Sequence, residues 1–451
     1  MFINFSLLFF FLLLGIIGLY LFSEHQKRYY VLLILSLIFY LSIAKLAFFV
    51  LIAFSVLVFI SGKHIEKLPG KIHYFAIIFL CLTPLLIDKI YFTSKLQIND
   101  YFKLIGISYI SFNGLSYLFD IKKGYLKPET NFCLFLLYLI YLPYIFIGPL
   151  HRYREVARQF KENISLNNLN FSNGFRLVLW GCFKHWVLAQ RLNIIVETIF
   201  NDRVTYQGVY VYIGGFAFFL YLYCDFSSYV DIFQGVSQTF GIKLKSNFRN
   251  QVYASHSRKH FWAGWHVTLN HWFRDYFFYP LSRYFRTKWQ NNILMILTFV
   301  LIGVWHELSI KFLIWGMLNA CWILTENQVR PYFSSVPNNL KGPLGIVYHI
   351  TIASFLAVIF RTNDLAGSMK SLFSFSHWQI PYDWVVMKQF IYILPLFVLM
   401  DLVNRKAGEK RIDEYVSSLN VSTRWCFYVS LILLIVIMGI PTSNDAYYVR
   451  F

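Results

Sequence analysis

Apolar stretches long enough to cross about 30 Å of hydrocarbon recur along this chain, from Phe2–Phe22 to Trp425–Ile440, with short polar links between them. This pattern predicts an all-α, polytopic integral membrane protein with roughly ten to twelve membrane-crossing or membrane-embedded helices. The first stretch has no basic start and no small-residue cleavage site, so it reads as a retained span and not as a signal peptide. Lys45 is expected to separate two short helices, because an ammonium near the bilayer centre costs at least ~2.5 kcal/mol. Basic links such as Glu24–Arg28 and Ser61–Lys71 fit a scaffold of spans up to about residue 120.

The middle of the chain departs from that rhythm. An apolar run from Asn131 to Ile147 leads into Gly148-Pro149-Leu150-His151-Arg152-Tyr153-Arg154-Glu155, where a helix-ending proline meets dense charge. An interfacial elbow is predicted there. Between Phe240 and Asn292 nothing is apolar enough to cross, yet nine aromatic residues fall between Phe261 and Tyr279, interleaved with Arg, Asp and His. Such a segment lies in the interface or dips into it. A helix from about Ser257 to Tyr276 would set Trp262, His266, Leu269 and Phe273 on one stripe. Beyond Asn292, apolar stretches flank Trp305-His306-Glu307, and further spans are predicted at Gly345–Phe360 and Lys388–Val403. One transmembrane domain, 1–451, is expected, with N-terminal helices to 103, a motif-bearing core over 104–324 and C-terminal helices over 325–451.

Composition strengthens the membrane reading. Hydrophobic residues make up 57% and charged residues 14% of the chain, with mean hydropathy +0.52, more than one soluble core could hide. The net charge of +19 resides mostly in links between apolar segments, which fits a positive-inside orientation better than nucleic-acid binding. Cys81, Cys133, Cys182, Cys224, Cys321 and Cys426 show no C-x-x-C spacing, so neither a disulfide framework nor a thiolate metal site is expected.

Candidate chemistry concentrates in a few polar residues set among apolar ones. His306 follows Trp305 between embedded stretches, where an ionisable side chain usually lines a cavity. An imidazole can take a proton from a hydroxyl near neutral pH and later return it, as acyl transfer to an alcohol requires. The competing reading is a hydrogen-bonded packing histidine at a helix break. His266 carries the same two readings, catalytic or interfacial, and Trp262 and Trp265 flank it. His256, His260, His266 and His271 do not make a convincing metal set, since only the first two are spaced i, i+4 and Asp275 adjoins Arg274. Asp225, with Tyr221 and Tyr229 one turn to either side, reads as a carboxylate held by two phenols to brace the structure. Arg274-Asp275 and the Arg152-Arg154-Glu155 cluster either bind donor phosphates or satisfy each other and lipid headgroups.

Ordered blocks run through residues 104–324: Gly106-Ile107-Ser108-Tyr109 to Ser116-Tyr117, Gly148-Pro149 with Arg152-Tyr153-Arg154, Asp225-Phe226-Ser227 with Tyr229 and Asp231, and Phe240-Gly241-Ile242 with Asn247-Phe248. They continue with Phe261-Trp262, Trp265-His266, Leu269, Trp272 to Tyr276, Pro280-Leu281, Gly303-Val304-Trp305-His306 and Trp315-Gly316. In this order they resemble the membrane-bound O-acyltransferase family, in particular its bacterial branch that modifies surface polymers. The resemblance implies a bowl-like helical fold with a central tunnel, His306 as the signature histidine and His266 as a second, less uniform one. It also implies acetyl-CoA as acyl donor with no tightly bound cofactor, a bacterial inner-membrane location, and a periplasmic partner with a serine-hydrolase-like fold. The run Arg274–Leu281 and the C-terminal spans are closer to the polysaccharide acetyltransferase type than to the D-alanyl transfer type. Glu307 and Ser228 stand where the family usually has glycine.

Overall fold

The structure, a computed structural model, describes residues 28–44, 47–67, 71–94, 106–145, 148–162, 168–329, 337–374 and 383–441, together with 14, 15 and 18. Lys45 and, apart from residues 14, 15 and 18, the first predicted span lie outside the described residues. What is described is helical, and the extended pairing among the described residues is an isolated bridge between Phe248 and Trp265. Among the described residues five helices are long and apolar enough to cross a membrane: Ala47–His64, Val209–Thr239, Asn339–Arg361, Trp384–Ala407 and Val421–Met438. The spans expected at Gly345–Phe360 and Lys388–Val403 fall within two of them.

Helix Val209–Thr239 is the axis of the molecule. Its 31 residues measure about 46 Å at 1.5 Å each, and almost every side chain from Gly214 onward is buried. Lipid is as apolar as leucine, so helices in a membrane gain stability through close backbone approach more than through hydrophobic burial. Gly174 on helix Asn168–Cys182 meets Gly235 on the central helix, and a Cβ on Gly235 would reach 2.5 Å from the Gly174 carbonyl oxygen. On the periphery the logic inverts. Leu394, Val398 and Leu402 on helix Trp384–Ala407, and Val436 and Ile437 on helix Val421–Met438, are exposed; rows of this kind are tolerated where lipid is the solvent.

Two expectations need correction. The apolar run from Asn131 to Ile147 is not one span: it forms Phe132–Ile140, a break at Tyr141 and a single turn Leu142–Ile145, and residues 134–145 are buried in protein. Broken helices at membrane depth are tolerated where neighbours satisfy the backbone, and the Leu142 amide donates to Ser36 Oγ at 3.4 Å here. The proposed helix Ser257–Tyr276 is likewise interrupted. Arg258–Gly264 ends, Trp265 is extended, His266 adopts φ 45 and ψ 50, and Val267–Phe273 begins a new helix. The cause lies in the strand-like segment beside it: Arg249 donates to the Gly264 carbonyl and Val267 donates to the Asn247 carbonyl, both at 3.0 Å. That pairing draws the intervening residues out of the helix.

Candidate active site

His306 closes helix Lys288–His306 and is buried. A sharp turn follows, and helix Ile310–Val329 runs back against the first. Two glycines set how closely these helices cross: a Cβ on Gly303 would overlap the Phe312 carbonyl oxygen, and one on Gly316 would overlap that of Phe299. The crossing brings aromatic rings around the imidazole. Centroid separations are 4.6 Å to Trp305, 5.1 Å to Phe360, 5.5 Å to Trp315 and 5.8 Å to Phe312. Glu307 has φ −155 and ψ 139, extended backbone open to any residue, so glycine is not needed there. Its carboxylate lies 3.9 Å from Lys311.

Lys89 completes the surroundings and was not anticipated from the sequence. It is buried on helix Lys71–Ser94, donates to the His306 carbonyl at 3.2 Å and lies 5.9 Å from the Trp305 ring. A cation at the C-terminal carbonyls of a helix is favourable with respect to the helix dipole. Here it also brings the ammonium next to the imidazole-bearing turn. Lys89 could have been found by asking why a membrane-length helix carries a lysine late in its course.

His266 lies on the other side of Trp305, with centroids 6.0 Å apart. Its Nδ1 is 3.3 Å from Asn247 Oδ1, which also accepts from the Thr268 amide at 3.0 Å and from the Thr268 hydroxyl at 2.8 Å. An acceptor oxygen opposite Nδ1 assigns that nitrogen as donor and leaves Nε2 as the basic atom of the ring. The predicted apolar stripe is therefore not what orients His266. A left-handed residue at a helix start, clamped by Asn247, does so.

The other expected residues divide between this centre and its supports. Trp262 donates its indole N–H to Asn319 at 3.2 Å and its ring is 6.0 Å from that of Trp315, one ring removed from His306. Trp265 stacks on Phe261 at 5.1 Å. Arg274 pairs with Asp275 at 2.8 Å, Arg152 reaches the same carboxylate at 3.5 Å and lies over the Tyr276 ring, and Tyr276 donates to Asp120 at 2.8 Å. These charges satisfy one another across the predicted elbow. His256 and His260 stack at 4.3 Å. Among the described residues no three His, Cys, Asp or Glu side chains converge to hold a metal ion.

Asp225 belongs to a separate network. An imidazole from another helix joins it: His185 Nδ1 lies 3.2 Å from Asp225 Oδ1, and Tyr229 and Gln190 each reach His185 Nε2 at 3.4 Å. Beside it Lys184 contacts Asp231 at 2.7 Å and donates to Ser227 at 2.8 Å. Both Lys184 and His185 sit on a π-helical turn, Phe183–Ala189, which re-aims consecutive side chains toward the central helix. No single-residue periodicity announces such a turn. Ser228, in the usual glycine position, donates its hydroxyl to the Asp225 carbonyl at 2.5 Å.

Comparison with known proteins matches this arrangement to one family over more than half of the chain. The profile of the membrane-bound O-acyltransferase family covers residues 73–341. The probable alginate O-acetylase of Azotobacter vinelandii is 30% identical over 281 residues, which are 61% of this chain and 55% of that protein. The teichoic acid D-alanyltransferase of Bacillus subtilis is 27% identical over 303 residues, 62% of this chain and 75% of that protein. The peptidoglycan O-acetyltransferase of Helicobacter pylori is 25% identical over 300 residues, 59% and 56% respectively. The chain spans about half the length of the alginate O-acetylases it matches. With Trp305-His306, Trp265-His266 and the Asp225 network all inside or adjoining the matched stretch, this chain belongs to the membrane-bound O-acyltransferase family.

Proposed function

We propose that this chain is a membrane O-acyltransferase that takes an acetyl group from cytoplasmic acetyl-CoA and passes it across the bacterial inner membrane for O-acetylation of a surface polysaccharide, alginate-like or peptidoglycan. The observation that carries the reading is His306, an imidazole boxed by aromatic rings at membrane depth and braced by Lys89. In this mechanism His306 removes the proton of the acceptor hydroxyl, whose oxygen attacks the thioester carbonyl. The carbon–sulfur bond then breaks, and the proton passes to the departing thiolate. The aromatic walls keep water from competing as nucleophile. Lys89 lends positive charge near the developing oxyanion, and His266 orients donor or acceptor. A periplasmic partner with a serine-hydrolase-like fold finishes the transfer, and lipid is the other constant partner.

A second reading keeps the chemistry and changes the cargo to D-alanine, delivered from a carrier protein to teichoic acid. It is favoured by the fuller overlap with the Bacillus subtilis D-alanyltransferase, 75% of whose length is matched. Purified protein offered labelled acetyl-CoA or a D-alanyl-charged carrier separates the two: acetyl transfer to membrane or partner acceptor is expected, and label moving from the carrier alone would replace acetyl by D-alanine.

A further inference from the structure

Arg258 begins helix Arg258–Gly264 and is 2% exposed. A buried cation costs several kcal/mol unless something answers its charge, so its partners need to be accounted for one by one. The adjacent carboxylate, Glu326, accepts from the backbone amides of Arg258, at 2.8 and 3.0 Å, and of Lys259, at 3.4 Å. It caps the helix, and among the described residues no carboxylate oxygen comes within 4 Å of the guanidinium. The guanidinium lies over the Phe261 ring at 4.4 Å and donates through Nη2 to Asn319 at 2.6 Å. Its Nε and Nη1 are buried with no acceptor.

His349, on helix Asn338–Arg361, adds a second polar group in the same condition. It is fully buried, 5.0 Å from the Phe261 ring, and neither ring nitrogen has a hydrogen-bond partner. Arg258 also lines a cavity whose other walls are apolar, among them Phe219, Leu222, Trp262, Leu356, Trp315 and Phe360. Trp315 and Phe360 are at the same time walls of the His306 box. The cavity therefore runs from a guanidinium with two N–H groups lacking acceptors to the rings that cover the candidate base.

We propose that Arg258 is a binding subsite for an amide carbonyl on the carrier arm of the acyl donor. The inference rests on the acyl-transfer reading but not on the cargo, since coenzyme A and a charged carrier protein present the same pantetheine arm. The cavity measures about 40 Å³, room for one amide group of such an arm, and its apolar walls are interrupted by one strong donor. A diphosphate does not suit it, because Arg258 is the one cation among the residues lining this cavity. Occupancy gives the buried donors an acceptor and fixes how far the thioester reaches toward His306.

The test uses the full chain in phosphatidylcholine nanodiscs and measures binding of radiolabelled S-acetyl-pantetheine alongside acetyl transfer from acetyl-CoA. Arg258→Met is expected to weaken binding at least tenfold, in keeping with the loss of a charge-assisted hydrogen bond. Arg258→Lys keeps the charge and the apolar stem, so it remains decisive if the Met variant does not fold; it is expected to raise KM severalfold with kcat within about twofold. Wild-type affinity in both variants overturns the subsite, as does displacement of the probe by added phosphatidylglycerol, which would make a lipid headgroup the occupant. Arg258-dependent binding without any acyl transfer by the wild type would instead strike the proposed activity and leave the subsite standing.

Discussion

Two regions of this molecule bury imidazoles among packed helices, and they surround them differently. Around His185 polar groups meet both ring nitrogens, Asp225 on one and Tyr229 and Gln190 on the other, while Lys184 and Asp231 pair beside it. Around His306 the side chains are aromatic, and the polar neighbour, Lys89, holds the backbone carbonyl. A network that closes on itself locks helices in place, because removing any member leaves the others unsatisfied. An imidazole walled by aromatic rings is, on the function proposed above, placed to move a proton for a substrate. On that reading the same residue type braces one region and equips the other, and the surroundings separate the two roles.

The contrast can be broken at several points. The largest effect is expected from Gly303→Leu, which drives a side chain into the Phe312 carbonyl where the two helices cross; folded, monodisperse protein should be lost, and recovery of normal yield would show that the crossing does not set the His306 geometry. Asp225→Asn should lower thermal stability and folded yield by about 1 to 3 kcal/mol while turnover per folded molecule stays near wild type. His185→Gln should do the same, and the double variant should cost less than the sum of the two. Normal yield with abolished turnover would move Asp225 into the chemistry. Lys89→Met should fold yet lower transfer about tenfold, a difference of about 1.4 kcal/mol, read from kcat with donor binding unchanged.

The smallest effect lies at the interfacial elbow. Burial alone would raise the Glu155 carboxyl, but His151, Lys245 at 2.5 Å and the Arg152 amide together hold it down at about 2 from its ordinary 4.5. A depressed carboxyl stabilises fully above its unfolded value and loses that contribution as pH falls through the folded one. The thermal midpoint should therefore drop as pH falls from about 5 toward 3, less steeply in Lys245→Met. Equal slopes would remove the elbow from the charge-paired class.

Much of this was legible in the sequence. Length and apolarity of the spans announced the helical membrane fold, and a histidine between embedded stretches announced His306 because charge-capable groups are expensive there. What stayed hidden depended on contacts between segments distant along the chain. The stripe through His266 fails because Asn247 and Arg249 pair with the backbone around it, and no helical periodicity records a partner strand. His185 and Lys184 were unreadable because a π-helical turn changes which residues face inward. Lys89 lay in a helix whose sequence looks like scaffold, and its meaning appears once the end of the His306 helix is beside it. Arg258 was not singled out, because its burial comes from the surrounding helices and not from its own segment.

The central claim is that His306 is a base and not a brace, and one measurement bears on it directly. Purified wild-type protein and His306→Gln are given labelled acetyl-CoA with membranes or partner protein, and donor binding and acetyl released to acceptor are measured in the same samples. Glutamine roughly preserves volume and hydrogen bonding, so insertion and donor binding should match wild type while transfer falls by about 10² to 10⁴. Wild-type transfer by His306→Gln would contradict the account and return His306 to the role of a packing residue.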